Sequence, residues 1–279
     1  MTDTSQLPDF IYGTAWKEAV TEYLVRLAIE KGFTAIDTAN QRKHYNEEAV
    51  GNAISSVIKD GIKGREELFI QTKFTYQQGQ DHRLPYEPEA DYPTQVRQSF
   101  SSSLEHLQTD YLDSYILHGP LYRHGISEAD RQVWGEMEKL HKDGYIRHIG
   151  VSNISLAQLR ELVHTAEIKP AFVQNRCFAK LQWDKAIREF CKEQGIVYQG
   201  FSLLTANAFV FSDPMVIRIA KEKKMTLPQL VFSFAAQAGI LPLTGTTNPV
   251  HMAQDLDSRN FSLSDGEVRY LEGIAFQGR

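Results

Sequence analysis

The sequence predicts an α/β protein, a single (β/α)8 TIM barrel domain spanning residues 1–279. Eight short apolar or β-branched runs alternate with longer segments of helical periodicity, a pattern that requires right-handed crossovers and a parallel sheet. The length is high for an average domain but ordinary for an α/β barrel. No G-x-G-x-x-G fingerprint follows the first run, which disfavours the competing open, doubly wound sheet.

The elements follow in order along the chain. The predicted strands are the runs 11–15, 34–38, 68–73, 114–118, 148–152, 172–175, 197–202 and 239–245. The predicted helices are the segments 18–32, 47–61, 94–107, 129–144, 155–166, 183–195, 214–224 and 227–239. One long break, at about 77–93, follows the third strand, where barrel enzymes often carry a lid or a binding loop.

Composition excludes several classes of protein. The net charge of -5 gives no electrostatic basis for binding nucleic acid or an anionic membrane. Two cysteines imply no disulfide framework and fit a reducing cytoplasm. The first ten residues lack the pattern of a signal peptide, and no apolar run has the length of a membrane span.

Polar and aromatic residues occupy the predicted strand ends, where barrel enzymes place their active sites. In chain order these residues are Trp16, Asp37, Lys73, His118, Ser152, Asn153, Gln174, Asn175, Phe201, Ser202, Gly245 and Thr246. A barrel with a purely structural role would not need them. Two nearby hydroxyl residues, Thr38 and Ser155, have a simpler interpretation as helix caps.

The stretch 37–48, DTANQRKHYNEE, adds a phenol and an imidazole to this set. Lys73 beside Asp37 would be a charged, paired donor, although a structural salt bridge explains the pair equally well. His118 ends an apolar strand, where a buried core imidazole is the alternative. A nearby cation lowers the pKa of a phenol, so Tyr45 could act as a proton donor. The histidines and cysteines lack metal-ligand spacing.

Five motifs resemble the aldo-keto reductase superfamily in that family's order. They are Phe-Ile-x-Thr-Lys, Asp-Tyr-Leu-Asp-x-Tyr-x-Leu-His, Ile-Gly-Val-Ser-Asn, Val-Gln-Asn and, near the end, Gly-Thr-Thr-x-Pro. The resemblance covers the chain from Ile11 to about Ile274. It implies a (β/α)8 barrel that reduces aldehydes or ketones with NADPH, without metal or flavin.

The resemblance also implies a role for each matching residue. Tyr45 would donate the proton to the carbonyl, Lys73 paired with Asp37 would lower the Tyr45 pKa, and His118 would orient the substrate. Trp16 would line the substrate pocket, or would simply be a rim aromatic. The cofactor-binding residues would be Ser152, Asn153, Gln174, Phe201, Ser202, Leu204, Gly245, Thr246, Thr247, His251 and Asp255.

The catalytic loop departs from the family pattern. The family tyrosine follows its aspartate by five residues, whereas Tyr45 follows Asp37 by eight. Counting back from the next helix places His44 at the tyrosine position instead. We predict Tyr45 as the acid because it is the phenol of the loop, with His44 as the alternative. Arg42 and Lys43 are interpreted as solvated charges, or else as a preference for an anionic substrate.

The second departure lies in the segment after the last strand, where the family binds the phosphate at the adenosine end of the cofactor. His251 stands where the family often has a basic residue, and Asp255 replaces a common Asn. A helix N-terminus with Thr246, Thr247 and Asn248 can still hold a phosphate. We therefore expect NADPH as cofactor, with NADH possible. After His118, Gly-Pro replaces the family's Trp-Pro and widens that side of the pocket.

Two rival functions follow from these departures. A cofactor-binding regulatory subunit with little turnover is the main alternative, although it would not need Asp37, Lys73 and His118. A lyase or isomerase using Lys73 as a Schiff-base amine leaves Ser152 and Gln174 unexplained. The short tail predicts an open pocket that accepts varied aldehydes or sugars, and family precedent suggests a monomer or weak homo-oligomer.

Overall fold

Eight parallel strands close into a barrel in the order β1 to β8. The structure, a computed structural model, describes residues 7–276. The strands are β1 Ile11–Gly13, β2 Ala35–Asp37, β3 Phe69–Phe74, β4 Leu112–Leu117, β5 Ile146–Ser152, β6 Phe172–Arg176, β7 Val197–Phe201 and β8 Ile240–Thr244. Ile11 pairs with Leu243 and Tyr12 with Thr244, and this register closes the ring.

Within residues 7–276, ten α-helices surround the barrel. They are α1 Thr21–Lys31, α2 Glu47–Lys59, α3 Tyr92–Leu107, α4 Glu128–Lys142, α5 Leu156–Thr165, α6 Lys185–Gln194, α7 Pro214–Glu222, α8 Leu227–Gln237, α9 Pro249–Asp257 and α10 Asp265–Glu272 in the described part of the chain. Each of the first six joins two consecutive strands, and α7 and α8 together join β7 to β8.

The strands bury two separate apolar layers because successive side chains point to opposite faces. The outward face packs against the helices in the large core. The inward face forms a small cluster of Ile11, Ala35, Phe69, Ile116, Phe172 and Leu241 inside the barrel. Polar residues follow two positions later on some of these strands, at Asp37, Gln71 and Gln174. The interior therefore changes from apolar to polar toward the carboxyl ends of the strands.

The predicted barrel and its eight strands are confirmed, with ends shifted by one or two residues. Ser155 caps α5 as expected, since its side chain accepts a hydrogen bond from the backbone N–H of Gln158. The Thr38 cap is wrong, because the next helix begins only after Asn46, which is its cap. The helix start expected at Thr246 to Asn248 is confirmed, since Asn248 caps α9. Sequence analysis missed α10, although the Ser264–Glu267 capping box marks its start.

Several inferences concern the chain as a whole. The single-domain interpretation stays a prediction. The signal-peptide inference rests partly on residues 1–6, and the end of the short tail is 277–279; both segments lie outside the described residues. Within residues 7–276, no helix combines the length and apolar character needed to cross a membrane. The same residues hold no group of three or more His, Cys, Asp or Glu arranged for a metal ion.

Candidate active site

The lengthened loop 38–46 is held by the long loop after β3. The Gln41 side-chain amide donates to the Gly79 carbonyl at 2.6 Å. The Gln80 amide donates to the Asn40 carbonyl at 2.8 Å. Asn40 in turn donates to the Ser99 carbonyl of α3 at 3.1 Å. Asn40 and Gln41 therefore anchor loop 38–46 to the loop after β3 and to α3.

Asp37 and Lys73 form a buried ion pair at the carboxyl ends of β2 and β3. The Lys73 ammonium donates to both Asp37 carboxylate oxygens at 2.6 Å and to the Thr38 carbonyl at 2.7 Å. All three ammonium hydrogens therefore have acceptors. Burial lowers the pKa of Lys73, and the Asp37 carboxylate opposes that effect.

Tyr45 faces this ion pair, whereas His44 lines the cavity on the side of Trp16. The Tyr45 ring centroid lies 5.3 Å from the Lys73 Nζ and 6.1 Å from the His118 ring centroid. The His44 ring instead stacks on Trp16, with ring centroids 3.8 Å apart. Burial, and secondarily the Asp37 charge, raises the pKa of Tyr45, contrary to the expected lowering by Lys73. The phenol therefore stays protonated at neutral pH.

His118 is a neutral imidazole held by one hydroxyl. Its Nδ1 lies 2.7 Å from the Thr75 Oγ1, so its Nε2 is the ring nitrogen left for a ligand. Burial, aided by the Lys73 charge, lowers the pKa of His118 to about 3. The ring therefore carries no charge at neutral pH and can serve as a hydrogen-bond partner of a carbonyl group.

A cavity of about 610 Å³ opens at this end of the barrel. Its walls include the proposed catalytic residues Asp37, Tyr45 and His118, along with Trp16 and His44. The predicted cofactor residues that line it are Ser152, Asn153, Gln174, Phe201, Ser202, Leu204, Gly245 and Thr246. Asn153 and Ser202 hold left-handed backbone conformations, with φ of 52° and 56°, which is typical of strained positions at functional sites.

Several of the predicted amide-binding groups already have protein partners. The Ser152 hydroxyl donates to the Gln174 carbonyl at 2.6 Å. The Asn153 amide donates to the His118 carbonyl at 2.7 Å and to the Ser152 Oγ at 3.1 Å. The Gln174 Oε1, by contrast, accepts no hydrogen bond from the residues described. Gln174 therefore offers the cavity a free acceptor.

Three predicted cofactor residues do not line the cavity: Thr247, His251 and Asp255. His251 is exposed in the first turn of α9. Asp255 is buried and accepts a hydrogen bond from the Thr244 hydroxyl at 2.8 Å. Burial raises the pKa of Asp255 to about 6. Asp255 therefore joins α9 to β8 in this structure.

Comparison with known proteins gives the family. A sequence model described as the aldo/keto reductase family matches residues 12–275. The chain belongs to the aldo/keto reductase family. Membership confirms the predicted class of reaction, the NAD(P)H-dependent reduction of a carbonyl group.

Individual relatives of this aldo/keto reductase cover nearly all of its length. Glyoxal reductase of Bacillus subtilis is 32% identical over 250 residues, which are 90% of this chain and 82% of the relative. Prostaglandin F synthase 1 of Bos taurus is 28% identical over 98% of this chain and 90% of its own. The crystal structure of a Bombyx mori aldo-keto reductase in complex with NADP has a TM-score of 0.81 and 26% identity, covering 95% of this chain and 88% of that chain.

Sequence analysis of this reductase missed three kinds of residue at the site. Lys17 is buried, and its ammonium donates to the Gly245 carbonyl at 2.7 Å without a carboxylate partner among the described residues. Thr75 contacts His118. Gln71 and Gln199 contact Asp37 or its partners inside the barrel. Lys17 could have been predicted from its place in the sequence, because it directly follows Trp16 just past the end of the first strand. The contacts of Gln71 and Gln199 could not, because they form only when the barrel closes.

The charges of the inserted loop lie outside the catalytic set. The Arg42 guanidinium forms an ion pair with Glu48 at 2.6 Å, and Lys43 is exposed. A paired arginine and an exposed lysine agree with the interpretation as solvated charges.

Proposed function

We propose that this enzyme reduces a small aldehyde or ketone to an alcohol, with NADPH as the preferred donor and Tyr45 as the proton donor. The position of the Tyr45 ring carries the proposal: its centroid lies 5.3 Å from the Lys73 ammonium and 6.1 Å from the His118 ring, and the residue lines the cavity. His44 is the alternative acid, and its stack on Trp16 counts against it.

The residues of the cavity fit a nicotinamide cofactor. The free Gln174 Oε1 is an acceptor suited to a carboxamide N–H. Phe201 offers an aromatic face for the ring. Lys17 does not itself line the cavity, but its ammonium contacts Gly245, which does, and could supply a cation for a phosphate group there. When bound, the cofactor supplies the hydride. The protein contributes binding and orientation of the two reactants.

The protein's chemical role is to supply a proton and to stabilise negative charge. A neutral Tyr45 can donate its hydroxyl proton to the oxygen that becomes the alcohol. Lys73, held by Asp37, places a positive charge beside the phenolate that remains. A neutral His118 with Nε2 protonated would donate a hydrogen bond to the substrate carbonyl, which aligns it and stabilises the developing oxyanion.

The adenosine end of the site bears on the preference for NADPH. Asn248 caps α9 by accepting from the Val250 and His251 amides, and Pro249 has no N–H, so a phosphate here would have to displace the cap or use side chains. His251 is the nearby basic residue, in place of a lysine or arginine. The relative from Bombyx mori was solved with NADP. NADH use therefore remains part of the proposal as a second activity.

We also propose a cellular compartment, an oligomeric state and the kind of partner. Two buried, free cysteines support a reducing, cytoplasmic compartment. We propose a monomer or weak homo-oligomer that acts on small molecules and binds neither nucleic acid nor membrane, in keeping with the net charge of -5.

The test is cofactor oxidation by the purified enzyme with NADPH and NADH over a panel of aldehydes, starting with small dicarbonyl compounds. We expect turnover with NADPH in the wild type, a loss of at least about 100-fold in Tyr45→Phe, and a modest change in His44→Ala. Loss of turnover in His44→Ala alone, with cofactor still bound, would move the acid to the imidazole. Cofactor binding without turnover in the wild type would favour the regulatory subunit.

A further inference from the structure

Three glutamines meet inside the barrel beneath the catalytic ion pair. Gln71 on β3, Gln174 on β6 and Gln199 on β7 are at most 3% exposed. The Asp37 Oδ1 accepts from the Gln71 Nε2 at 2.7 Å and from the Gln174 Nε2 at 3.0 Å. The Gln199 Oε1 accepts from the same two nitrogens, each at 2.9 Å. The Gln199 Nε2 donates to the Gln71 Oε1 at 3.0 Å.

Only one orientation of the three amides satisfies these contacts. A carboxylate accepts and never donates, so Gln71 and Gln174 must both present their NH2 groups to Asp37. The second hydrogen of each NH2 group then reaches Gln199, which must present its oxygen. The nitrogen of Gln199 is left to donate to the remaining oxygen of Gln71.

This arrangement decides which atom Gln174 offers the cofactor. Both hydrogens of its amide are used by Asp37 and Gln199, so its Oε1 is the atom left for a ligand. If Gln199 could not accept, one of those hydrogens would lose its buried partner, and a single hydrogen bond to Asp37 would be left to hold the Gln174 amide, which could then rotate away from the position that aims its Oε1 at the cavity. Gln199 itself is fully buried and does not line the cavity.

We propose that Gln199 is a positioning residue for cofactor recognition: it holds the Gln174 amide so that its Oε1 accepts a hydrogen bond from the nicotinamide carboxamide. The inference rests on the proposed function, since it requires the carboxamide to bind at Gln174. The same hydrogen bonds connect Gln174 to Asp37. Gln174, which would bind the cofactor, and Asp37, which binds Lys73, therefore belong to one hydrogen-bonded network.

The test compares NADP⁺ with its 3-acetylpyridine analogue, in which a methyl ketone replaces the carboxamide and no N–H donor remains. Dissociation constants are measured by titration calorimetry without turnover. Wild type is expected to bind NADP⁺ about tenfold more tightly than the analogue, the ratio of one net hydrogen bond. In Gln199→Leu we expect this ratio to fall to about 1–2, mainly through weaker NADP⁺ binding.

Two further variants separate positioning from a merely structural role. Tyr198→Phe removes a buried hydrogen bond of the neighbouring residue on β7, the 2.8 Å bond to Asp184, and should leave the ratio unchanged. Gln199→Glu should retain the ratio, because burial beside Asp37 keeps a carboxyl there protonated. A protonated carboxyl accepts from Gln71 and Gln174 and donates to Gln71, as the amide does.

Each outcome has a defined meaning. If wild type binds both nucleotides equally, carboxamide recognition by Gln174 is wrong, and that part of the proposed function fails with it. If wild type prefers NADP⁺ and Gln199→Leu keeps the preference, the role of Gln199 is overturned while the proposed function stands. Should Gln199→Leu fail to fold, the double variant Gln71→Leu/Gln199→Leu replaces the buried amide pair by an apolar pair. The ratio must fall in that variant too, or the inference is wrong.

Discussion

Lys17 is a buried cation whose described partner is a backbone carbonyl. Its ammonium lies 2.7 Å from the Gly245 carbonyl oxygen and 5.0 Å from the centroid of the Tyr12 ring. Burial lowers the pKa of Lys17 to about 8. Lys17 does not line the cavity, but the Gly245 that it contacts does, so we predict that its ammonium stabilises an anionic ligand bound there.

This pKa makes cofactor binding depend on pH. Lys17 is charged below about pH 8 and loses its proton as the pH rises through that value. We expect the Kd of NADP⁺ to increase about tenfold between pH 7 and pH 9.5, as one charge-assisted contact is lost. Titration calorimetry across this range measures the effect.

The matched variants for this prediction are two lysine substitutions. Lys17→Met should bind NADP⁺ weakly at pH 7 and show almost no dependence on pH. Lys43→Met, which removes an exposed lysine of the catalytic loop, should behave like wild type. A wild type with a flat profile would show that Lys17 does not contact the phosphate groups.

At the scale of elements, α2 packs closely against the end of α3. Gly51 lies in α2, and a Cβ there would stand 2.0 Å from the His106 carbonyl oxygen. Gly135 lies in α4, and a Cβ there would meet nothing within 4 Å. The two glycines thus allow a matched comparison of one substitution in two helices.

We expect Gly51→Ala to lower the free energy of unfolding by about 1–3 kcal/mol, because backbone atoms must move apart. Gly135→Ala should raise it by about 0.5–1 kcal/mol, since alanine favours the helix and the space is open. Urea denaturation gives both values. Equal effects of the two substitutions would mean that α2 and α3 can separate at no cost.

The elements themselves were predictable because their signals are local. Alternation of strands and helices gave the barrel, and strand ends gave Asp37, Lys73 and His118. The register of the inserted loop was not predictable, since it depends on hydrogen bonds from Gln41 and Gln80 to segments distant in sequence. The same limit applies to Gln71 and Gln199, which are 128 residues apart and meet only when the barrel closes.

At the scale of the whole molecule, the cavity draws its walls from most of the barrel. Gly13, Asp37, Ser152, Gln174 and Phe201 come from β1, β2, β5, β6 and β7. A ligand bound there contacts strands from both halves of the chain. Binding should therefore stabilise the barrel as a unit rather than one segment of it.

We expect NADP⁺ at 100 times its Kd to add about 2.7 kcal/mol of stability, and to raise Tm by about 5–10 °C. Calorimetry should record one transition that moves as a whole, in keeping with the predicted single domain. A transition that splits, with only one part shifted by the nucleotide, would show two independently unfolding units. Lys17→Met should show a smaller shift at the same nucleotide concentration.

The stack of Trp16 on His44 has an optical consequence. Trp134 and Trp183 are at most 2% exposed, and their indole N–H groups donate to backbone carbonyls. Trp16 is 69% exposed at the cavity mouth. We therefore expect the long-wavelength part of the protein's emission to come mainly from Trp16. The barrel carries its own fluorescent probe, in contact with the loop that holds Tyr45.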